Sequence, residues 1–203
     1  IEDFAGPLGV ATHTDGLKKV CIVGGGVGCA IALPIAQKLK ENGCEVTSII
    51  GFRTKDLLIL EDEFNSASEK LYVMTDDGSY GREGNVCVPL NEMFDAGEKF
   101  DMVITIGPLI MMKFVVEATK KTGIPCTVSM NPIMIDGTGM CGGCRLTLIE
   151  DGKRVTKFAC VDGPDFNGYE VDFDEAMARG GMYREFERHA YEETCNLFAK
   201  EGK

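Results

Sequence analysis

The sequence predicts an α/β fold: a parallel sheet flanked by helices, then a small C-terminal hairpin module and a helical tail. Three observations predict it. Short apolar runs alternate with amphipathic stretches over residues 18–129, a pattern typical of parallel sheets. A glycine-rich turn at residues 24–28 follows the first apolar run. Residues 145–158 then predict two strands joined by a tight Asp-Gly turn.

The first predicted strand, residues 19–24, runs through the glycine turn into a helix predicted over residues 30–39. Backbone N–H groups at such a turn bind anions, and glycine lets the pyrophosphate of a dinucleotide come close. Because Pro34 is tolerated only near a helix start, we expect the helix to begin between residues 30 and 33. The candidate cofactor-binding residues of this turn are Gly25, Gly26 and Gly28.

The turn departs from the usual dinucleotide fingerprint at two places. Cys29 stands at the third glycine position, and the second strand, residues 45–50, leads into Arg53 rather than an acid. An acid there would bind the ribose 2′-hydroxyl of NAD. Arg53 is either a partner for an adenosine 2′-phosphate or a solvated loop residue, so NADH and NADPH both stay open.

The remaining runs continue the alternation of strand and helix. They predict strands over residues 70–74, 85–88, 101–106 and 125–129, and helices over residues 57–64, 89–96 and 109–122. Loops after such strands lie at the carboxyl edge of the sheet, where ligands of open α/β sheets collect. The candidate cofactor-binding residues in these loops are Asp76, Asp77, Gly107, Pro108 and Met111.

Each of these loop residues also has a plainer interpretation. The acids of the first loop suit contacts to ribose or amide groups, but Asp-Asp-Gly is also a good sequence for a polar β-turn. Gly107 permits close approach of a ligand, and Pro108 suits a first helical turn. Met111 and Met112 lie on a helix, where packing in a core or an interface is the commoner use of methionine.

A second cluster of functional residues surrounds a glycine-rich loop. Three soft thiolates and one carboxylate can hold iron or zinc, and we interpret the site as iron–sulfur. A structural zinc site is the weaker alternative, because zinc ribbons normally use two knuckles or a Cys/His set and neither His13 nor His189 is near this loop. The hairpin at residues 145–158 is expected to return Cys160 toward Cys144. The candidate metal ligands are Asp136, Cys141, Cys144 and Cys160. The other cysteines are interpreted as buried thiols: Cys21, Cys29, Cys44, Cys87, Cys126 and Cys195.

Five segments carry a resemblance to a known family. They are GPLG at residues 6–9, GGGVG at 24–28, TDDGSYGREG at 75–84, IGPLIMMK at 106–113, and the run from 132 to 165 containing CGGCR and FACVDGP. Over nearly its whole length the chain resembles ferredoxin–NADP reductase-like electron-transfer subunits. This family includes the small subunit of NADH-dependent ferredoxin–NADP oxidoreductase, its sulfide dehydrogenase relatives, and the electron-transfer subunit of dihydroorotate dehydrogenase.

The resemblance implies a ferredoxin reductase-like NAD(P)-binding domain and an iron–sulfur module. Its cofactors would be a 2Fe–2S cluster, NAD(H) or NADP(H) and, in the intact protein, FAD. Electrons would pass between NAD(P)H, FAD and the cluster to a larger flavoprotein/iron–sulfur partner subunit of the ferredoxin–NADP oxidoreductase or sulfide dehydrogenase type. One alternative is the dihydroorotate dehydrogenase subunit of pyrimidine biosynthesis. The other is a zinc-stabilised nucleotide-binding module without redox activity.

The resemblance also covers two individual positions. One branch of the family replaces the first of four cluster cysteines by aspartate, and Asp136 occupies that position. Carboxylate is a harder and weaker donor than thiolate, so we expect the exchange to alter the potential and lability of a cluster. Many relatives carry cysteine before the Gly-Pro pair, where this chain has Ile106, so no catalytic residue is assigned.

The resemblance divides the chain into four parts. Residues 1–17 would be a linker from a flavin-binding barrel that this sequence lacks, and residues 18–131 the nucleotide-binding domain. Residues 132–165 would form the cluster module and residues 166–203 a helical tail. Within the tail, Asp172 begins a capping-box-like helix start, and an amphipathic stretch over residues 182–198 follows a glycine pair.

Composition excludes several classes of protein. The net charge is −11, with 32 acids against 21 bases, which argues against nucleic-acid binding. No apolar run approaches the roughly 20 residues that span a bilayer. Nine cysteines without an export signal indicate a reducing cytoplasm rather than a disulfide framework.

Overall fold

The computed structural model describes residues 6–194, and a twisted sheet forms its frame. The strands are β1 (Lys19–Gly25), β2 (Glu45–Phe52), β3 (Lys70–Thr75), β4 (Arg82–Glu83), β5 (Met102–Ile106), β6 (Cys126–Ser129), β7 (Arg145–Glu150), β8 (Lys153–Phe158) and β9 (Asp165–Asn167). Seven of them form one sheet in the order β4-β3-β2-β1-β5-β6-β9. All neighbours from β4 to β6 are parallel, whereas β9 joins β6 antiparallel.

Helices cover both faces of this sheet. They are α1 (Gly28–Glu41), α2 (Glu61–Ala67), α3 (Cys87–Asp95), α4 (Leu109–Thr122), α5 (Phe173–Gly181) and α6 (Arg184–Thr194). On one face α1 and α2 pack on the sheet around Leu39 and Phe64. On the other face α3 and α4 share a core with the hairpin β7–β8, which contributes Leu146 and Leu148. The predicted α/β class, with a parallel sheet between helices, is confirmed.

Three predicted elements were wrong in detail. The helix predicted over residues 57–64 is α2, which begins only at Glu61 because Leu60 before it has a left-handed backbone (φ 62°). Helix α1 begins at Gly28, ahead of the range predicted from Pro34, and continues through that proline. Pro34 and Ala30 are both exposed, so water can satisfy the Ala30 carbonyl that loses its helical partner. The strand predicted over residues 85–88 is instead the start of α3. Asn85 Oδ1 accepts the Cys87 N–H at 2.9 Å, which turns the chain into the helix, as Asn side chains often do.

The hairpin and β9 join the second half of the chain to the sheet. Asp151 (φ 49°) and Gly152 (φ 75°) both have positive φ, as the predicted two-residue turn between β7 and β8 requires. β9 then pairs Phe166 with Val128 of β6. The boundary proposed after residue 165 therefore falls inside a strand of the main sheet.

The first described residues are fastened to the same region. The Val10 N–H donates to the Gly163 carbonyl at 2.7 Å, and Thr12 Oγ1 donates to Asp165 Oδ2 at 2.6 Å. In addition, a methyl group placed on Gly137 would lie 3.0 Å from Leu8 Cδ1. Residues 8–12 thus pack beside the loop that carries the predicted metal ligands.

The tail begins as predicted. The Asp172 side chain caps α5 by accepting the Glu175 N–H at 2.9 Å. Helix α6 follows a short break, and the remainder of the predicted amphipathic stretch, with Cys195, lies outside the described residues. None of the helices between residues 6 and 194 combines the length and apolar character needed to cross a membrane.

Candidate functional site

A cleft of about 690 Å³ opens at the carboxyl edge of the sheet, beside β1 and β2. Its volume lies within the range of roughly 300–1,000 Å³ that small-molecule sites occupy. The position is the one expected for a ligand of an open α/β sheet. Six of the predicted cofactor-binding residues line it: Gly25, Gly26, Arg53, Asp76, Pro108 and Met111.

Three of the predicted glycines are explained by close contacts. A methyl group on Gly25 would lie 2.4 Å from Met111 Sδ, and one on Gly107 would lie 2.7 Å from Met111 Cε. A methyl group on Gly28 would lie 2.5 Å from the Ile106 carbonyl oxygen. Gly28 therefore does not face the cleft; its missing side chain lets α1 pack against β5. Gly107 leaves space for the side chain of Met111, which lines the cleft.

The two aspartates after β3 have different surroundings. Asp76 lines the cleft, whereas Asp77 lies outside its lining. Asp77 Oδ1 accepts Ser79 Oγ at 2.6 Å and the Ser79 N–H at 3.0 Å, and these bonds lower the pKa of the Asp77 carboxyl. This is the geometry of a polar turn, the plainer of the two interpretations given to Asp77.

Arg53 is exposed at the end of β2 and faces the cleft. Within residues 6–194 no ion pair or hydrogen bond occupies its guanidinium group. Because its donors are not taken by the protein, they are available to an anionic group in the cleft.

Sequence analysis missed the far wall of the cleft. The missed residues extend along facing sides of α3 and α4 and the loop before α3. For α4, the sequence pattern that could have revealed them is a helical spacing of apolar and charged residues at positions 110, 114, 117 and 121, which places them on one face of the helix. The added lining residues are Gly51, Phe52, Leu57, Gly84, Asn85, Val86, Cys87, Asn91, Ile110, Phe114, Glu117, Ala118 and Lys121.

The predicted metal ligands lie in a second region, at the open end of the hairpin where β7 begins and β8 ends. Cys144 Sγ and Cys160 Sγ are 3.2 Å apart, and both residues are buried. The hairpin produces this contact as predicted, since Arg145 pairs with Phe158 and the Ala159 N–H donates to the Cys144 carbonyl at 3.2 Å. The hydrogen bond between the two thiols and their burial raise the pKa of Cys160.

Asp136 and Cys141 form a second pair on the exposed side of the loop. The Thr138 N–H, 2.9 Å from Asp136 Oδ1, lowers the pKa of the carboxyl, and hydrogen bonding from Cys141 lowers it further. The Gly143 N–H donates to Cys141 Sγ at 3.4 Å. The structure thus pairs Cys144 with Cys160 and, separately, Asp136 with Cys141. In the described part of the chain no three His, Cys, Asp or Glu side chains meet as a ready metal site.

The loop between the pairs is built to bend around a bound group. Gly137, Gly139 and Gly142 have φ values of 76°, 83° and 65°, a conformation that favours glycine. The order Asp136-x4-Cys141-x2-Cys144, followed by a distant cysteine, has the ligand spacing of plant-type 2Fe–2S sites with aspartate in the first place. Two pairs of anionic donors fit a cluster of two irons, each held by two protein ligands.

The other described cysteines are structural. Cys21, Cys29 and Cys126 are buried, and burial raises the pKa of each thiol, to about 12 for Cys29 and Cys126. Such thiols are poor metal ligands because the thiolate is the binding form. Cys44 is also buried. Cys87 is half-buried and lines the cleft, so the simple buried-thiol interpretation fits it less well.

Residues 131–172 match the family model of the iron-sulfur cluster binding domain of dihydroorotate dehydrogenase B. A dihydroorotate dehydrogenase B (NAD(+)) electron transfer subunit homolog from Thermotoga maritima is 50% identical over 192 residues, which are 95% of this chain and 66% of the relative. The corresponding electron transfer subunit of Streptococcus pneumoniae is 36% identical over 81% of this chain and 64% of its own length. The chain spans about two thirds of the length of these relatives.

A solved structure of the NADH-dependent reduced ferredoxin-NADP oxidoreductase, described in terms of flavin-based electron bifurcation, gives the same answer for the fold. One of its chains superposes with a TM-score of 0.83 at 48% identity, covering 94% of this chain and 67% of that chain. Because it covers 94% of this chain, the likeness includes both the cleft and the hairpin module. The chain therefore belongs to the electron-transfer subunit family shared by dihydroorotate dehydrogenase B and NADH-dependent ferredoxin–NADP oxidoreductase.

Proposed function

We propose that the intact protein is an electron-transfer subunit that carries electrons between NAD(P)H, FAD and a 2Fe–2S cluster and delivers them to a larger partner subunit. The observation that carries the proposal is the pairing of Cys144 with Cys160, 3.2 Å apart, together with the pairing of Asp136 with Cys141 on the loop that leads to Cys144. We further propose a cytoplasmic setting, supported by the eight described cysteines, which are all free thiols.

Asp136, Cys141, Cys144 and Cys160 would hold the cluster, which when bound supplies single-electron transfer. The chain's own part is to fix these ligands. Cys144 and Cys160 are anchored by the hairpin and the apolar core, so that side of the site is rigid and shielded from water. Asp136 and Cys141 lie on the exposed side. Metal binding must displace protons from the thiols, so loading is expected to be slower in acid.

The cleft at the edge of β1 and β2 would bind the pyridine nucleotide. Gly26 has open space beside it for the pyrophosphate, Gly25 lets Met111 pack against the wall of the cleft, and the Arg53 guanidinium is free to bind an anion. Whether that anion is an adenosine 2′-phosphate decides between NADPH and NADH. The test is to measure the affinity of Arg53→Ala for both. A loss confined to NADPH supports 2′-phosphate binding, and an equal loss for both nucleotides supports a contact to a group that they share. Unchanged affinity for both supports a solvated loop residue.

A partner subunit would dock over the loop that carries the first three proposed metal ligands, residues 131–144, which we call the cluster loop. Six large apolar side chains surround the loop and are about half exposed or more: Leu8, Ile133, Met134, Ile135, Met140 and Val161. Exposed apolar patches of this kind mark interaction sites, and a partner seated there would be close enough to the cluster to exchange electrons.

The first experiment is anaerobic analysis of iron, acid-labile sulfide and zinc, with visible spectra, on the wild type and Asp136→Ala. About two irons and two sulfides per chain are expected, the composition of a 2Fe–2S cluster. The spectrum should change or disappear in Asp136→Ala. Stoichiometric zinc without sulfide would contradict electron transfer and favour the zinc-stabilised nucleotide-binding module.

The second candidate is the electron-transfer subunit of dihydroorotate dehydrogenase. The names of the Thermotoga maritima relative and of its Streptococcus pneumoniae counterpart favour it. Asp136 in the ligand set, as in the aspartate-bearing branch noted above, favours the ferredoxin–NADP oxidoreductase type. Co-purification of the large subunit from the native host separates the two, because each assignment requires a different large subunit.

A further inference from the structure

The turn that carries Cys160 is closed by a side chain outside the proposed ligand set. Asp162 Oδ2 accepts the Phe158 N–H at 2.7 Å. In the same turn the N–H groups of Val161 and Asp162 both donate to the Phe158 carbonyl, at 3.0 and 2.7 Å. Phe158 is the last residue of β8, so these bonds fold the chain back directly after the hairpin. The position of Cys160 within the turn is set by this closure.

Two side chains project from the turn onto the cluster loop. Cys160 lies against Cys144, and Val161 lies so close to Gly139 that a methyl group there would be 2.4 Å from Val161 Cγ2. A movement of the turn would therefore displace a proposed ligand and the wall of the loop together. The Asp162 carboxylate itself is exposed, and its described hydrogen bond is the one to Phe158.

We propose that Asp162 is a positioning residue for the iron–sulfur cluster. Its carboxylate holds the turn so that Cys160 meets Cys144, and it places a negative charge two residues from a ligand. A nearby negative charge disfavours adding an electron to the cluster, so Asp162 also lowers its potential. Groups that orient metal ligands typically matter by about 10–100-fold in metal affinity. This inference rests on the proposed function, because it requires a cluster at the four ligands.

The test compares Asp162→Ala and Asp162→Asn with Asp151→Asn, a matched aspartate at the far end of the same hairpin. The 203-residue chain is reconstituted anaerobically with iron and sulfide. Iron release to a chelator and the midpoint potential, followed by electron paramagnetic resonance, are then measured. Asp162→Ala should release iron about tenfold faster than the wild type. Asp162→Asn keeps an acceptor for the Phe158 N–H, so it should retain its cluster but show a potential shifted to a more positive value.

The potential decides between positioning and a purely structural role. A wild-type potential in Asp162→Asn, matching that of Asp151→Asn, would overturn the inference even if Asp162→Ala fails to fold. Wild-type iron release from a folded Asp162→Ala would overturn it as well. Both results leave the proposed function standing, since the wild type still carries its cluster. A wild type that binds no iron and sulfide would instead overturn the proposed function, and this inference with it.

Discussion

The nucleotide cleft and the cluster loop are built in opposite ways. The cleft is bounded by the ends of paired strands, where Gly25 of β1 lies beside Gly51 of β2 and the Gly26 N–H donates to the Gly51 carbonyl at 2.8 Å. The cluster loop, residues 131–144, contains no regular strand or helix. The cleft therefore has its shape before a ligand arrives, whereas the loop is expected to gain order from the metal.

Glycine serves the two regions for different reasons. Gly25 has an ordinary φ but lies against Met111, so any side chain there would clash. Gly142 has a φ of 65° and its nearest neighbour would be an ordinary 3.6 Å from an added methyl group. At Gly25 the requirement is space, whereas at Gly142 it is backbone conformation. Alanine substitutions should therefore affect the two regions through different physical mechanisms.

The largest expected effect separates the two regions completely. Cys160→Ala removes one of four ligands, so cluster content should fall to background while NADH affinity stays unchanged, because the sheet edge is formed without the loop. Iron analysis and fluorescence titration with NADH measure both. Cys126→Ala is the matched control, a buried thiol of the same core that should keep its cluster. Loss of nucleotide binding in Cys160→Ala would show that the regions are not independent.

Gly25→Ala should damage the cleft and spare the cluster. The added methyl group would meet Met111 Sδ at 2.4 Å and Pro108 Cδ at 3.0 Å, which overpacks the wall at a cost of about 1–3 kcal/mol. We expect nucleotide affinity to fall by about tenfold, equivalent to about 1.4 kcal/mol. Titration calorimetry checks this. Gly180→Ala, in α5 with open space around it, should leave the affinity unchanged, and so should Gly25→Ala if the cleft is not the nucleotide site.

Two substitutions within the loop separate the effect of backbone strain from that of a steric clash with Val161. Gly142→Ala adds only backbone strain, whereas Gly139→Ala adds strain and a contact of 2.4 Å with Val161 Cγ2. Left-handed backbone costs roughly 1–2 kcal/mol for a residue with a side chain. Iron release to a chelator should therefore be faster in Gly139→Ala than in Gly142→Ala. In the double variant Gly139→Ala with Val161→Ala, iron release should slow to the rate of Gly142→Ala. Equal rates in the two single variants would argue against the contact.

The smallest expected effect concerns the sheet far from both sites. Asp101 accepts the N–H groups of Lys19 and Lys18 at 2.9 and 2.7 Å, and these bonds lower the pKa of its carboxyl. A carboxyl with a lowered folded pKa stabilises the fold above its unfolded pKa, about 3.9, and loses that contribution as pH falls through the folded pKa. The difference in melting temperature between wild type and Asp101→Asn should therefore be present at pH 7 and shrink below pH 4. A difference independent of pH would contradict this.

Much of the frame followed from periodicity and turn chemistry. Helix α4 was predicted over residues 109–122 and has those bounds, because an apolar stripe follows a Gly-Pro start. The hairpin followed from its Asp-Gly turn, and with it the approach of Cys160 to Cys144. These features are encoded by residues adjacent in sequence, so local reasoning was sufficient.

What the sequence could not predict depends on distant contacts. The role of Gly28 is set by the Ile106 carbonyl on another strand, and the pairing of β9 with β6 joins residues about forty positions apart. The far wall of the cleft needs α3 and α4 to be brought side by side. Residues 85–88 contain two valines, which favour strand, but the Asn85 side chain and tertiary packing decide for helix. The roles of the nucleotide residues and the four-part division of the chain stay predictions.

The antiparallel strand β9 has a consequence for solubility. A parallel sheet that ended at β6 would present a row of unpaired backbone groups, which is a template for joining another chain. β9 covers that row, and it begins three residues after Asp162, in the segment that leaves the Cys160 turn. The same short stretch of chain therefore both completes the metal site and shields the sheet from aggregation. A change that releases this stretch is therefore expected to expose the edge of β6 and to make the protein more prone to precipitate.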